Sequence, residues 1–86
     1  MRDIFDDWAV VLGATSSFGS TTLRALSLKG FNVYGIYFGT SSQVESAEAL
    51  AAELEGTSGI VRLTNANALR SETRANVVSD IRELTN

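Results

Sequence analysis

A turn bracketed by two glycines carries the residues best suited to chemistry. After the apolar run Trp8–Leu12, the sequence reads Gly13-Ala14-Thr15-Ser16-Ser17-Phe18-Gly19. Gly13 permits a tight turn, the small residues after it let backbone amides approach an anion, and Gly19 permits close packing of a helix on a strand. A helix that begins here presents unpaired N–H groups and the positive end of its dipole. The segment therefore predicts a site for the pyrophosphate of a dinucleotide, with further hydrogen-bond donors in the hydroxyls of Thr15, Ser16 and Ser17. The alternative is a plain turn whose residues are small for steric reasons.

The composition excludes several other chemistries. The 86 residues include no cysteine, histidine or proline, which removes thiol catalysis, disulfides, thiolate metal sites and the commonest metal ligand and general base. Ten acidic residues against seven basic ones, a formal net charge of −3, disfavour nonspecific nucleic-acid binding. No apolar run approaches the roughly 20 residues that span a bilayer, and acidic residues stand where a signal peptide is basic. A cytoplasmic location without membrane contact is therefore expected.

The hydrophobic pattern predicts strands and helices in alternation. Strands are expected over Trp8–Leu12, Asn32–Phe38 and Gly59–Thr64, and the first is a continuous apolar run, typical of a strand buried on both faces. Helices are expected over Phe18–Lys29, from a capping box over residues 42–45 to Gly56, and from Ser71 onward. This spacing predicts an α/β fold, a Rossmann-type doubly wound parallel sheet built as β-α-β-α-β-α with right-handed crossovers.

The glycine turn also supports a resemblance to a known family. The stretch Leu12-Gly13-Ala14-Thr15-Ser16-Ser17-Phe18-Gly19 resembles the Thr-Gly-x-x-x-Gly-x-Gly signature of the short-chain dehydrogenase/reductases. The first and last glycines match, whereas Leu12 and Ser17 replace the family's threonine and middle glycine. The same glycines fit the Gly-x-x-Gly-x-x-Gly frame of extended members, with Ser16 in the middle. The alanine-rich second helix is similar to that of the 3-oxoacyl-carrier-protein reductase-like members.

This resemblance implies the NAD(P)-binding portion of an oxidoreductase that transfers hydride between nicotinamide and a carbonyl or alcohol substrate. It places the pyrophosphate against a set of residues at the turn, which are Gly13, Thr15, Ser16, Ser17, Phe18 and Gly19. Tyr37 and Phe38 stand where the family has the acid and the arginine that read the ribose. Because no acid would repel a 2′-phosphate and Gly39, Thr40 and Ser41 can donate to it, NADP is favoured over NAD.

The resemblance also implies an adenine contact after the third strand. Asn67-Ala68 occupies the place of the family's Asp-Val, whose aspartate and following amide hold the base. Plain structural roles stay open at both positions: Tyr37 and Phe38 would cover the edge of the sheet, and Asn67 would lie in an ordinary polar loop.

The family's catalytic pair, Tyr-x-x-x-Lys, is missing from these residues. Neither Tyr34 nor Tyr37 has a lysine four residues later, and the single lysine, Lys29, does not follow a tyrosine at that spacing. No catalytic residue and no metal ligand is therefore assigned. The alternative function is a non-catalytic nucleotide-binding or interaction module of the same fold.

The resemblance further implies that residues 1–86 are the N-terminal portion of a single, larger Rossmann-type domain. In that fold the first strand has neighbours on both sides, so the outer edge of Trp8–Leu12 is expected to be open here. An open apolar edge is a pairing hazard. We therefore expect it to be covered by more of the domain, by self-association or by a partner chain. By the handedness rule, the first two helices should cover one face of the sheet and the third helix the other.

Overall fold

Strands and helices alternate along the part of the chain that the computed structural model describes, residues 7–57 and 59–85. The elements are β1 (Trp8–Leu12), α1 (Ser17–Leu28), β2 (Asn32–Tyr37), α2 (Ser41–Glu53), β3 (Val61–Asn65) and α3 (Ser71–Thr85). The strands form one parallel sheet in the order β1-β2-β3, in which Gly35 of β2 lies between Val11 and Leu63. The predicted α/β class and element order are confirmed.

The start of the second helix differs from the prediction. The proposed capping box at Ser42 is wrong, because α2 begins at Ser41 and its N-cap is Thr40. The Thr40 backbone is extended, and its carbonyl accepts hydrogen bonds from the amides of Gln43 (3.0 Å) and Val44 (3.1 Å). The first turn therefore closes two residues earlier than the Ser-x-x-Glu pattern suggests, and Ser42 lies inside it. The second helix also ends at Glu53, three residues before the predicted Gly56, and the remaining boundaries lie within two residues of those predicted.

The two faces of the sheet are covered unequally, as predicted. On one face α1 and α2 pack over a buried cluster of Val11, Ala14, Leu23, Val33, Leu50 and Leu54. On the other face α3 packs over Tyr34, Ile36, Val77 and Ile81. Because side chains alternate along a strand, β2 contributes to both clusters, and its residues Val33–Tyr37 are all buried.

β1 lies at one edge of the sheet, and no described residue pairs with its outer side. Val10 and Leu12 are 49% and 64% exposed there, so the burial of β1 on both faces that its apolar run predicts is not observed. The described residues therefore have the open edge that the sequence predicts. Within the same segments, no helix has the length and apolar character that a membrane span requires.

Candidate functional site

The carboxyl ends of the three strands meet at one edge of the sheet, and the glycine turn lies there. The Ala14 amide, just after β1, donates to the carbonyl of Ile36 (3.1 Å), and the Ala66 amide, just after β3, donates to that of Tyr37 (2.8 Å). The Asn65 side chain pairs with the backbone of Gly39 in both directions, at 3.1 and 3.3 Å. Ligands of open parallel sheets bind outside this edge, so the three loops are tied together where a ligand is expected.

The turn itself is closed by Ser16. Gly13 has φ +68°, the left-handed region that glycine adopts without strain. The Ser16 amide and hydroxyl both donate to the Gly13 carbonyl, at 3.0 and 2.7 Å. The same hydroxyl accepts from the Gly19 amide at 3.0 Å, so Ser16 is the N-cap of α1. Ser16 thus stabilises the turn. The sequence predicts its hydroxyl as a donor to the pyrophosphate instead.

Gly19 is required by the close approach of α1 to the turn. A Cβ atom at this position would overlap the Gly13 carbonyl oxygen and lie 2.7 Å from the Gly13 carbonyl carbon. Gly19 is also buried. The close contact of Gly19 is thus with the turn directly after β1, where the sequence predicts packing against the strand.

Two backbone amides at the start of α1 have no hydrogen-bond partner in the described part of the chain. Within the described residues, the amides of Ser17 and Phe18 have no acceptor, whereas the next amide, that of Gly19, is capped by Ser16. The first turn of α1 contains no acidic residue. Ser17 is exposed, and the Phe18 side chain is 85% exposed. This end of α1 therefore presents free donors and a positive dipole end to an approaching anion.

Thr15 points toward α2 rather than toward this anion site. Its hydroxyl donates to the side-chain carbonyl oxygen of Gln43. The Gln43 methylene groups lie directly over Gly39. Gln43 thus links the glycine turn to the loop after β2. The sequence does not predict this role for Gln43. Its position in the first turn of α2 was the only available signal.

The residues predicted to read the ribose fall into two groups. Tyr37 is 8% exposed and lines a groove between α2 and β3 with Ala51 and Leu63, so its ring belongs to the packed face of the sheet. Phe38, in contrast, is 72% exposed. Thr40 and Ser41 are exposed at the start of α2, and the Thr40 side chain makes no capping hydrogen bond. The hydroxyls of Thr40 and Ser41 are therefore open to a ligand, while Tyr37 is turned inward.

The residues predicted to contact adenine lie after β3. The side-chain oxygen of Asn67 accepts from the Leu69 amide at 3.0 Å, which keeps one of its two lone pairs available. Ala68 is half-buried against the cluster beneath α3. Asn67 is thus held by its own loop, and Ala68 is part of the packing.

Within residues 7–57 and 59–85, neither tyrosine nor the single lysine is placed beside this turn as an acid or base. The Tyr34 side chain is fully buried, and its hydroxyl donates to Asp80 of α3 (2.5 Å) and accepts from Thr64 (3.0 Å). Burial, and then the hydrogen bond to Asp80, raise the pKa of Tyr34, so the phenol stays protonated and fastens α3 to the sheet. Lys29 caps the opposite end of α1. Among the described residues, no cluster of acidic, histidine or cysteine side chains could hold a metal ion.

Comparison with known proteins adds no assignment. A scan against protein-family models and a search of curated proteins give no match to this chain.

Proposed function

We propose that this chain binds a nicotinamide dinucleotide and is the cofactor-binding portion of an NAD(P)-dependent short-chain oxidoreductase. The observation that carries the proposal is the start of α1. There the free amides of Ser17 and Phe18 lie beside a turn kept tight by Gly13 and Gly19, at the carboxyl edge of a parallel sheet. This is where a pyrophosphate binds in dinucleotide-binding folds.

The described residues fit the cofactor at the pyrophosphate. Ser17 replaces the middle glycine of the family signature, but its side chain makes no hydrogen bond in the described part of the chain and is exposed. Its hydroxyl can therefore donate to the ligand. Ser16, in contrast, acts through the turn, because its hydroxyl is already engaged by Gly13 and Gly19.

NADP is the preferred form of the cofactor in this proposal. No acidic side chain follows β2 before the first turn of α2 is complete, since residues 37–44 contain none. Exposed hydroxyls of Thr40 and Ser41 stand at the amino end of α2. A 2′-phosphate there would meet donors and the positive end of a helix dipole.

When bound, the nicotinamide supplies or accepts the hydride. The residues of this chain bind and orient the dinucleotide, and among those described none is placed to move a proton at the substrate. Tyr34 and Tyr37 are buried, and Lys29 lies at the far end of α1. A second candidate is a nucleotide-binding or interaction module without catalysis, which is favoured by Leu12 and Ser17, the two departures from the family signature. The oxidoreductase and a nucleotide-binding module would both bind a dinucleotide at the α1 turn.

The test is a calorimetric titration of NADPH and of NADH into the chain and two variants. Ser17→Asp places a carboxylate at the start of α1, where it stabilises a helix by about 0.3–1 kcal/mol but repels a bound phosphate. Asn76→Asp adds the same charge at an exposed position of α3, on the opposite face of the sheet, and is the matched control.

We expect NADPH to bind more tightly than NADH. Ser17→Asp should weaken both at least tenfold while leaving the melting temperature unchanged or raised, and Asn76→Asp should change neither affinity. Equal weakening by the two variants would show a nonspecific charge effect and contradict the proposal. So would the absence of binding by either dinucleotide to the folded wild-type chain.

A further inference from the structure

The carboxyl end of β3 places a neutral amide beside the loop that follows β2. Tyr37 and Asn65, the last residues of β2 and β3, are register partners in the parallel sheet. Register partners in neighbouring strands direct their side chains to the same face. The Tyr37 ring is buried on that face, whereas Asn65 is exposed. Asn65 therefore presents a polar group to solvent beside the position where the family resemblance places an acid that reads the ribose.

The Asn65 side chain holds the backbone of Gly39 in place. Its oxygen accepts from the Gly39 amide at 3.3 Å, and its nitrogen donates to the Gly39 carbonyl at 3.1 Å. The methylene groups of Gln43 lie over the same glycine. Gly39 directly precedes Thr40, whose hydroxyl makes no capping hydrogen bond. Asn65 thus fixes the start of the loop that carries the exposed hydroxyls of Thr40 and Ser41.

One N–H of the Asn65 side chain remains available to a ligand. A side-chain amide has two N–H donors, and within the described residues that of Asn65 uses one of them, toward the Gly39 carbonyl. No carboxylate competes for the other in the two adjoining segments, since residues 37–44 and 59–71 contain no acidic residue. A hydrogen bond to an ionised phosphate is about twice as strong as one to a neutral group. The remaining donor therefore favours a phosphate over a hydroxyl.

We propose that Asn65 is the residue that selects NADPH over NADH, by donating its remaining N–H to the 2′-phosphate. This inference rests on the proposed function and adds a residue of β3 to the site. The resemblance assigns the reading of the ribose to the end of β2, but Tyr37 is turned inward there. Asn65, its register partner, supplies the polar contact from the neighbouring strand.

The test is a calorimetric titration of NADPH and of NADH into the wild-type chain, Asn65→Asp and Asn65→Ala. Asn65→Asp replaces the donor with a carboxylate, which repels a 2′-phosphate and accepts from a ribose 2′-hydroxyl, as acidic residues do in NAD-binding folds. It should weaken NADPH binding by about tenfold or more and leave NADH binding unchanged or tighter. Asn65→Ala removes the donor without adding charge, and should lower the ratio of NADPH to NADH affinity severalfold.

The matched control is Asn76→Asp, the same substitution at an exposed position of α3 on the opposite face of the sheet. It should leave the ratio of the two affinities as in the wild type. Circular dichroism and melting temperature check the fold of each variant. A second readout needs no variant: in ¹⁵N–¹H spectra of the wild type, the side-chain amide signals of Asn65 should shift with NADPH and with adenosine 2′,5′-bisphosphate. Those of Asn76 should stay in place.

Three results would overturn the role of Asn65. They are an unchanged affinity ratio in Asn65→Ala, equal weakening of both dinucleotides by Asn65→Asp, and a stationary side-chain signal in the wild type. If NADPH still binds the wild type and Ser17→Asp still weakens it, the dinucleotide site at α1 stands and only this inference fails. A folded wild-type chain that binds neither dinucleotide overturns both.

Discussion

The contact between α1 and the glycine turn leads to a quantitative prediction for Gly19→Ala. The added Cβ would overlap the Gly13 carbonyl oxygen and lie 2.7 Å from its carbon, so α1 or the turn must move by about 1 Å to restore ordinary contact distances. Overpacking of this kind costs about 1–3 kcal/mol. Alanine regains up to about 1 kcal/mol of helix propensity over glycine. With the full propensity gain subtracted, the expected net loss in the free energy of unfolding is about 0–2 kcal/mol.

The assay is urea unfolding followed by circular dichroism at 222 nm. For a domain of this size, a slope of about 1 kcal/mol per molar urea converts the expected loss into a midpoint lowered by up to about 2 M. Ala25→Gly, at an exposed position of the same helix, measures the propensity contribution alone and should cost up to about 1 kcal/mol. A Gly19→Ala midpoint that rises by the amount Ala25→Gly falls would refute the close approach, since propensity would then be the only effect.

Two further predictions concern side chains that link helices to the sheet. Tyr34→Phe removes the hydrogen bond to Asp80 and leaves the Thr64 hydroxyl without its acceptor, so it should lower the free energy of unfolding by about 1–3 kcal/mol. Because the pKa of Tyr34 is raised in the folded chain, its contribution is complete below the unfolded tyrosine pKa of about 10. It should be lost as the pH rises through the folded value. Stability of the wild type in urea should therefore fall above pH 10 more steeply than that of Tyr34→Phe, and parallel curves would contradict this role. Gln43→Ala breaks the link between Thr15 and α2 and should weaken NADPH binding severalfold, with a stability loss of about 1 kcal/mol or less. Glu45→Ala, an exposed substitution in the same helix, is its control in calorimetry, and equal affinity in the two variants would remove Gln43 from the site.

The fold could be predicted from the sequence because its signals are local and periodic. Three signals each indicate one structure: the continuous apolar run in β1, the stripe of Ala47 and Leu50 in α2 that continues to its C-cap Leu54, and the glycines at both ends of the first turn. The crossover rule then places α1 and α2 together on one face. The roles of Gly13 and Gly19 follow from the same reasoning, since both depend on the absence of a side chain.

The side-chain partners of the site could not be predicted in this way. The bond between Thr15 and Gln43 joins residues 28 positions apart, and no local pattern records it. The capping box failed because Ser42-x-x-Glu45 is compatible with a helix that has already begun at Ser41. The orientation of Tyr37, however, could have been predicted from the sequence. Tyr37 alternates in phase with Val33, a residue of the cluster under α1 and α2, so its side chain belongs to that packed face.

The measurement that tests the central claim most directly is a ¹⁵N–¹H NMR titration of the chain with NADPH. If the start of α1 binds the pyrophosphate, the amide resonances of Ser17 and Phe18 should shift most, together with those of Thr40 and Ser41. The amides of residues 76–82 in α3, on the opposite face, should stay in place. Shifts confined to α3 or to the outer edge of β1, or none at millimolar NADPH, would contradict the assignment of this turn as a dinucleotide site.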